Sequence, residues 1–224
     1  MIRADKSGPL GWLMRTYVTR KFRAAFRGLW VRGSIPAEPA SRLVYANHCS
    51  WWDGFVAHQL FLRLGWDGYA LMEERNLARY RVLARVGAFS IRQHEGLSSL
   101  TSLRYARELL SRPRAAVVVF PEGVMRPFDS HPLLLERGVS VLARVSRARC
   151  LPIAIRYAFF EHERPDVLVE VGEEHAPAPQ ERFERGLGEA LARLTAVRSL
   201  EGFTQLISGG AGVAQTWDAV RGRR

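Results

Sequence analysis

Three short polar clusters each follow directly on an apolar run that reads as a strand. Asn47-His48-Cys49-Ser50-Trp51-Trp52-Asp53 follows residues 43–46, Arg92-Gln93-His94 follows 88–91, and Pro121-Glu122-Gly123 follows 117–120. Ligands of an open α/β sheet gather beyond the carboxyl ends of its strands, so parallel pairing would bring all three clusters to one edge. The first cluster holds the residue types of a general base and its orienting partner. On a continuous helix His48 and Asp53 would face directions roughly 140° apart, and they meet only if the chain turns between them. Ser50-x-x-Asp53 supplies such a turn, having the form of a capping box that starts a helix at about Trp51. His48 would then fold back over the first turn. A carboxylate on one imidazole nitrogen fixes the tautomer and stabilises the imidazolium formed when the other nitrogen takes a proton. Plain helix capping by Asp53 and an ordinary loop histidine are the bland alternatives.

Neighbouring residues invite other chemistries. Cys49 beside His48 raises a Cys–His nucleophile, but adjacent turn residues point apart, and a small residue tucked under the loop is the simpler reading. The remaining histidines, His58, His94, His131, His162 and His175, show no metal-ligand spacing, so no metal site is expected. His58 reads as structural, mid-helix. Trp51 and Trp52 read as packing residues, one of which would line an apolar path.

The elements that position these clusters alternate. Strands are expected over residues 42–46, 68–72, 88–91, 115–120, 151–155 and 167–171, and helices over 51–64, 75–86, 97–110, 139–146 and 183–194. Such alternation predicts an α/β fold with a mostly parallel central sheet flanked by helices, with antiparallel additions near residues 156–171. Ahead of it, Leu10, Leu13, Met14, Tyr17, Val18, Phe22, Ala25, Phe26 and Leu29 recur at three- and four-residue steps among Arg15, Arg20, Lys21, Arg23 and Arg27, with Trp12 and Trp30 near the ends. This basic amphipathic helix fits two settings equally: the interface of an anionic membrane, or docking on its own core with a solvated basic face. Residues 1–35 are therefore read as a membrane-associating helix, 36–207 as the catalytic domain, and 208–224 as a flexible tail that opens on a Gly-rich linker and ends in a short helix.

A length of 224 residues, nearly half of them apolar, is enough for one domain with a sizeable core. The formal charge of +11 points to an anionic partner: nucleic acid, acidic lipid headgroups or a phosphorylated substrate. Neither a signal peptide nor an apolar stretch of spanning length is evident, and two isolated cysteines fit a reducing compartment.

Asn-His-x-x-x-x-Asp, as Asn47-His48 and Asp53, followed about 70 residues later by Phe120-Pro121-Glu122-Gly123, resembles the glycerolipid acyltransferases, whose best-known members are the 1-acylglycerol-3-phosphate acyltransferases. The similarity runs through Gly87-Ala88-Phe89-Ser90-Ile91 and Leu151-Pro152-Ile153, and so covers residues 42–156. It implies transfer of a fatty acyl group from acyl-CoA or acyl carrier protein to the free hydroxyl of a lysophospholipid, 1-acylglycerol-3-phosphate first. In that scheme His48 is the general base and Asp53 holds it, Glu122 and Gly123 position the acceptor, and Pro152 shapes the acyl channel. No cofactor beyond the thioester co-substrate is implied. Two arginines depart from the pattern: Gln93 stands where the family has a phosphate-holding Arg, with Arg92 one place earlier, and Arg126 comes one place late after Gly123. The expected partners are an anionic membrane surface, the lysophospholipid and the acyl donor, not nucleic acid, and the expected location is the cytoplasmic face of the cell membrane, peripheral or monotopic. The same chemistry on another lipid or sugar hydroxyl, a nucleic-acid-binding domain, and a catalytically dead lipid-binding relative are the competing readings.

Overall fold

The structure, a computed structural model, describes residues 1–92, 96–130, 132–210, 212, 217 and 221; of residues 96–99 it describes the backbone alone. Helix α1 spans Gly8–Ala25, and strand β1 (Gly28–Arg32) follows it. Then come β2 (Arg42–Ala46), α2 (Asp53–Leu64), β3 (Asp67–Glu73), α3 (Glu74–Arg79), a 3-10 turn over Arg81–Val86, and β4 (Ala88–Ile91). The chain continues through α4 (Gly96–Leu110), β5 (Ala115–Val119), α5 (Gly138–Ser146), β6 (Arg149–Ala158), β7 (Asp166–Val171), α6 (Gln180–Thr195) and β8 (Thr204–Ser208). The eight described strands form one sheet in the order β4-β3-β5-β2-β6-β7-β1-β8.

The pairs β4/β3, β3/β5, β5/β2, β2/β6 and β7/β1 are parallel; β6/β7 and β1/β8 are antiparallel. The mostly parallel sheet and its antiparallel addition after residue 155 are therefore as expected. Buried on both faces, a central parallel strand needs a continuous apolar run, and Ala115–Val119 supplies one, buried at every position. One apolar layer joins Val44, Ala46, Val118 and Ile153 to Val56, Leu60 and Phe61 of α2 and Phe22 of α1. The other joins Leu43, Tyr45 and Val119 to Leu109 of α4, Leu142 of α5 and Phe183, Leu187 and Leu194 of α6. Since β2, β4 and β5 run in one direction, the chain leaves each of them at the same sheet edge.

Two strands depart from the sequence reading. The stripe ending at Leu29 suggested unbroken helix, yet α1 stops at Ala25 and Leu29–Trp30 lie in β1, between β7 and β8. Buried Asp166 fixes this strand, accepting from Arg27 Nη2 and Trp30 Nε1, each at 2.7 Å. Residues 1–35, read as one helix, therefore also contain a strand of the sheet. Likewise Thr204–Ser208 is the edge strand β8, where the sequence reading has no strand and opens a Gly-rich linker at Ser208; Gly209 donates to Arg27 O at 2.7 Å. The tail helix falls mostly outside the described residues. The helix expected over 75–86 divides into α3 and the 3-10 turn, which Gly87 ends at φ +106°.

Helix α1 is docked on the core along part of its length. Val18 and Phe22 are buried, whereas Leu13 and Tyr17 are 55% and 52% exposed and Trp12 62%. Its second half docks on the core and its first half presents apolar side chains outward. No helix among the described residues is long and apolar enough to cross a membrane. Phe22→Ala is expected to lower unfolding free energy by about 3–5 kcal/mol, and Leu13→Ala by no more than ~0.5 kcal/mol. Urea denaturation of the two variants measures the difference, and equal losses would mean that α1 is docked along its whole length.

Candidate active site

Strand β2 delivers Asn47 and His48 to the edge, and Asn47 locks the chain there. Its Oδ1 accepts from Ile155 N at 2.8 Å and its Nδ2 donates to Ile155 O at 2.9 Å, so the end of β2 is clamped to β6. The chain then turns, and α2 begins at Asp53, two residues later than expected. Only half of the capping box forms. Asp53 Oδ2 reaches back to Ser50 N at 2.8 Å, but Ser50 Oγ accepts from Trp52 N at 3.2 Å, not from the Asp53 amide.

The turn brings His48 Nδ1 to 2.8 Å from Asp53 Oδ2. The same oxygen accepts from Cys49 N at 2.7 Å, while Oδ1 accepts from the Tyr157 hydroxyl at 2.7 Å. Asp53 has no solvent exposure, and these four donors answer its carboxylate. With Nδ1–H given to Asp53, Nε2 is the nitrogen left to take a proton. Phe120 stacks on the imidazole with centroids 4.5 Å apart and planes inclined by 23°, which fixes the ring's tilt. Burial holds the Tyr157 hydroxyl well above the usual phenol range, so it stays a donor.

The Pro-Glu-Gly loop closes over this pair. Arg126 N donates to His48 O at 2.8 Å, and Glu122 Oε2 lies 3.4 Å from His48 N. Gly123 turns the loop at φ +70°, a conformation that favours glycine. Burial raises the Glu122 carboxyl above its ordinary range. The Arg126 guanidinium stands 3.9 Å from Glu122, and its Nε is buried with no hydrogen-bond partner. A partly exposed guanidinium beside Glu122, at the same sheet edge as His48, suits an anionic group on a substrate.

His48, Asp53, Glu122, Gly123 and Arg126 thus come together; Arg92 and Pro152 do not join them. Arg92 is engaged with Glu74, its Nε and Nη2 lying 2.7 and 2.6 Å from Oε1. Gln93 and His94 lie outside the described residues. Pro152 is buried in β6 on the α6 side, its ring against Gly172 and Gly186, and is not part of the cavity wall. The strand alternation explains the misplacement, since Ile153 and Ile155 take the face toward α2. Burial first, and then the Asp53 charge, pushes the Cys49 thiol up to about 12, which disfavours the thiolate that a nucleophile would need.

Below His48 a cavity of about 450 Å³ enters the fold. Trp51, Gly123 and Met125 line it near the imidazole, and Phe55, Phe61, Ala70, Val86 and Ala88 line its depth. From Met72 to Gly68 on β3, both in its wall, it follows the strand for roughly 13 Å.

A buried carboxylate bonded to one imidazole nitrogen at the mouth of an apolar cavity, on the carboxyl edge of a parallel sheet, is an arrangement suited to proton transfer beside a nonpolar group. The acyltransferase family model matches residues 31–156, more than half of the chain, and the protein belongs to that family. Among solved structures it resembles the crystal structure of PlsC, the 1-acyl-sn-glycerophosphate (LPA) acyltransferase from Thermotoga maritima. That match has a TM-score of 0.60 at 21% identity and covers 84% of this chain and 81% of the other. No curated protein matches the chain.

Tyr157 is a site residue that sequence reasoning missed, and Phe120, quoted there only as part of the Phe120-Pro121-Glu122-Gly123 run, takes its place as the ring stacked on His48. Tyr157 stands 104 positions from Asp53, beyond the end expected for its strand, and no local spacing points to it. Tyr157→Phe keeps the ring but removes one donor from a buried carboxylate, which should cost about 1–3 kcal/mol of stability. Acyl transfer should fall roughly tenfold as Asp53, the imidazole's partner, loses one of the bonds that hold it in place, a loss of about 1.4 kcal/mol in transition-state binding. Parallel denaturation and rate measurements decide; unchanged values in both would remove Tyr157 from the site.

Proposed function

We propose that the protein transfers a fatty acyl group from a thioester of coenzyme A or acyl carrier protein to the free hydroxyl of a lysophospholipid, 1-acylglycerol-3-phosphate foremost. The observation that carries this reading is the His48–Asp53 pair at the mouth of the apolar cavity. The acyl chain lies in the cavity with its thioester carbonyl beside His48. Nε2 takes the acceptor's hydroxyl proton as that oxygen attacks the carbonyl carbon. The tetrahedral intermediate collapses with cleavage of the C–S bond, the ester leaves, and the imidazolium returns the proton to the departing thiolate. Asp53 keeps the tautomer correct and balances the imidazolium during the exchange. No covalent enzyme intermediate is needed.

The acceptor's phosphate is assigned to Arg126, because Arg92 already carries Glu74. One arginine is a lighter grip than two, which keeps a second reading open: another lipid or sugar hydroxyl as acceptor. A panel of acceptors with and without phosphate separates the two. The test of the main reading follows thiol release and ester formation with long-chain acyl-CoA and lysophosphatidic acid. His48→Ala should retain its fold and lose at least ~10²-fold in rate; near wild-type turnover would exclude His48 as the base. In the same assay Arg126→Ala should raise the acceptor KM about tenfold with kcat little changed, as expected for loss of uniform binding. An unchanged KM would leave the phosphate role empty.

Peripheral attachment to an anionic membrane through α1 belongs to the same proposal. Trp12, Arg15, Thr16, Arg20, Arg23 and Leu62 share one shallow groove, which sets apolar side chains beside cations. Replacing Trp12 and Leu13 together with Glu should lower binding to vesicles rich in phosphatidylserine at least tenfold, read by sedimentation. Undiminished binding would sink the anchor.

A further inference from the structure

The shallow groove between α1 and α2 is distinct from the cavity below His48, and the two share none of their described lining residues. Trp12, Arg15, Thr16, Thr19, Arg20 and Arg23 of α1 line it, with Leu62 of α2 opposite. The six follow one another at i, i+3, i+4, i+7, i+8 and i+11, which puts them on one face of the helix along roughly 16 Å. Neither wall offers an acid. Residues 7–37 contain no Asp or Glu, and α2 contains none after Asp53. Arg27 and Arg32, next along the chain, are bound by Asp166 and Glu170, whereas Arg15, Arg20 and Arg23 have no carboxylate partner among the described residues. Arg20 and Arg23 are exposed and Arg15 is half-buried. The two hydroxyls are already engaged: Thr16 donates to Trp12 O at 3.1 Å, and Thr19 Oγ1 accepts from Gln59 Nε2 at 3.0 Å. The groove therefore presents three open guanidiniums between a tryptophan and a leucine.

That combination fits a lipid headgroup. Tryptophan and leucine side chains favour the boundary between headgroups and acyl chains, and guanidiniums hold phosphate through paired N–H donors. It also distinguishes among headgroups. A phosphodiester brings one negative charge on two free oxygens, and in phosphatidylserine an ammonium comes with it, which the guanidiniums repel. A phosphomonoester presents three terminal oxygens. Its second ionisation falls at about pH 6 in a phosphorylated side chain, and hydrogen bonds to the dianion favour it further. Three forks of donors match three oxygens carrying two charges better than two oxygens carrying one.

We propose that the groove between α1 and α2 is a binding site for the headgroup of a phosphomonoester lipid in the bilayer. The proposal rests on the attachment of α1 to an anionic membrane and adds a choice of lipid to it. The acceptor and the product of the acyl transfer proposed above are both phosphomonoesters. Occupation of the groove thus gathers the protein on bilayers that hold its own substrate and product.

Sedimentation of the full chain with phosphatidylcholine vesicles tests this. One series contains phosphatidic acid and the other phosphatidylserine, adjusted to the same zeta potential at neutral pH so that general attraction is equal. The wild type should bind the phosphatidic acid series about tenfold more tightly. Arg15→Gln, Arg20→Gln and Arg23→Gln together should weaken both and erase the difference between them. The corresponding triple Lys variant keeps the charge without the forked donors; it should lose most of the preference while binding to phosphatidylserine persists. Arg104→Gln, Arg107→Gln and Arg144→Gln remove three cations from α4 and α5, on the other face of the sheet, and should leave the preference intact. Equal binding of the wild type to both series, or a preference that survives the first Gln variant, would overturn the headgroup site and leave attachment through α1 standing. Absence of binding to either series would remove the attachment, and the site with it. Tighter binding to duplex DNA than to phosphatidic acid vesicles would assign the groove to nucleic acid instead.

Discussion

A carboxylate with no solvent contact is tolerated only where donors occupy its lone pairs, and Asp53 meets that condition by gathering the chain around itself. Cys49 N and Ser50 N reach it from the turn, His48 Nδ1 from the end of β2, and the Tyr157 hydroxyl from β6. These four bonds impose most of what the site requires. Two of them bend the backbone so that α2 starts where it does, one selects the imidazole tautomer, and one ties the turn to a strand distant in sequence. Removing the carboxylate would orphan amide, imidazole and phenol together. The conformation of the turn and the chemistry of the imidazole are consequently one constraint, not two.

This constraint explains what the sequence disclosed and what it hid. The strands at 42–46, 88–91 and 115–119 were legible because a parallel strand buried on both faces must be apolar throughout. The polar residues directly after them then had to lie at a common edge. The facing of His48 and Asp53 was legible because five residues cannot bring them together without a turn, and Ser50 marked one. What stayed hidden depends on partners far away. Strand β1 offers only Gly28-Leu29-Trp30-Val31-Arg32, whose apolar positions also continue the α1 stripe, and its reason for being a strand is Asp166 and the neighbouring β7 and β8. Pro152 carried the right sequence context for a cavity wall, but strand parity turned it to the α6 side. The arginines were the hardest to place. Their value depends on whether an acid already holds them, as Glu74 holds Arg92, and no spacing rule reports that.

Helix α2 joins the His48–Asp53 pair to the cavity. Its first residue holds the His48 imidazole, and Phe55, His58 and Phe61 along it line the cavity. A rigid helix therefore fixes the distance between the reacting carbonyl and each wall residue, which is what a cavity needs if it is to tell one point on a flexible chain from another. A loop at the same place would leave the imidazole well oriented by Asp53 but would blur the registration of the chain beneath it.

The division of α1 into an exposed and a buried half gains significance from what the buried half touches. Phe22 packs on Phe26 with centroids 4.9 Å apart, and Phe26 in turn meets Trp52 at 5.0 Å and Tyr157 at 5.6 Å. Tyr157 is the donor to Asp53 Oδ1. Two aromatic contacts thus separate the docked half of the helix from the residue that steadies the catalytic carboxylate. Close-packed interiors transmit displacement because they have few voids to absorb it. The docked half of α1 is therefore held, through Phe22 and Phe26, in register with the turn that carries the imidazole. On the proposed attachment through α1, the same contacts would make the orientation of the helix on a bilayer set where the cavity mouth lies relative to an acceptor.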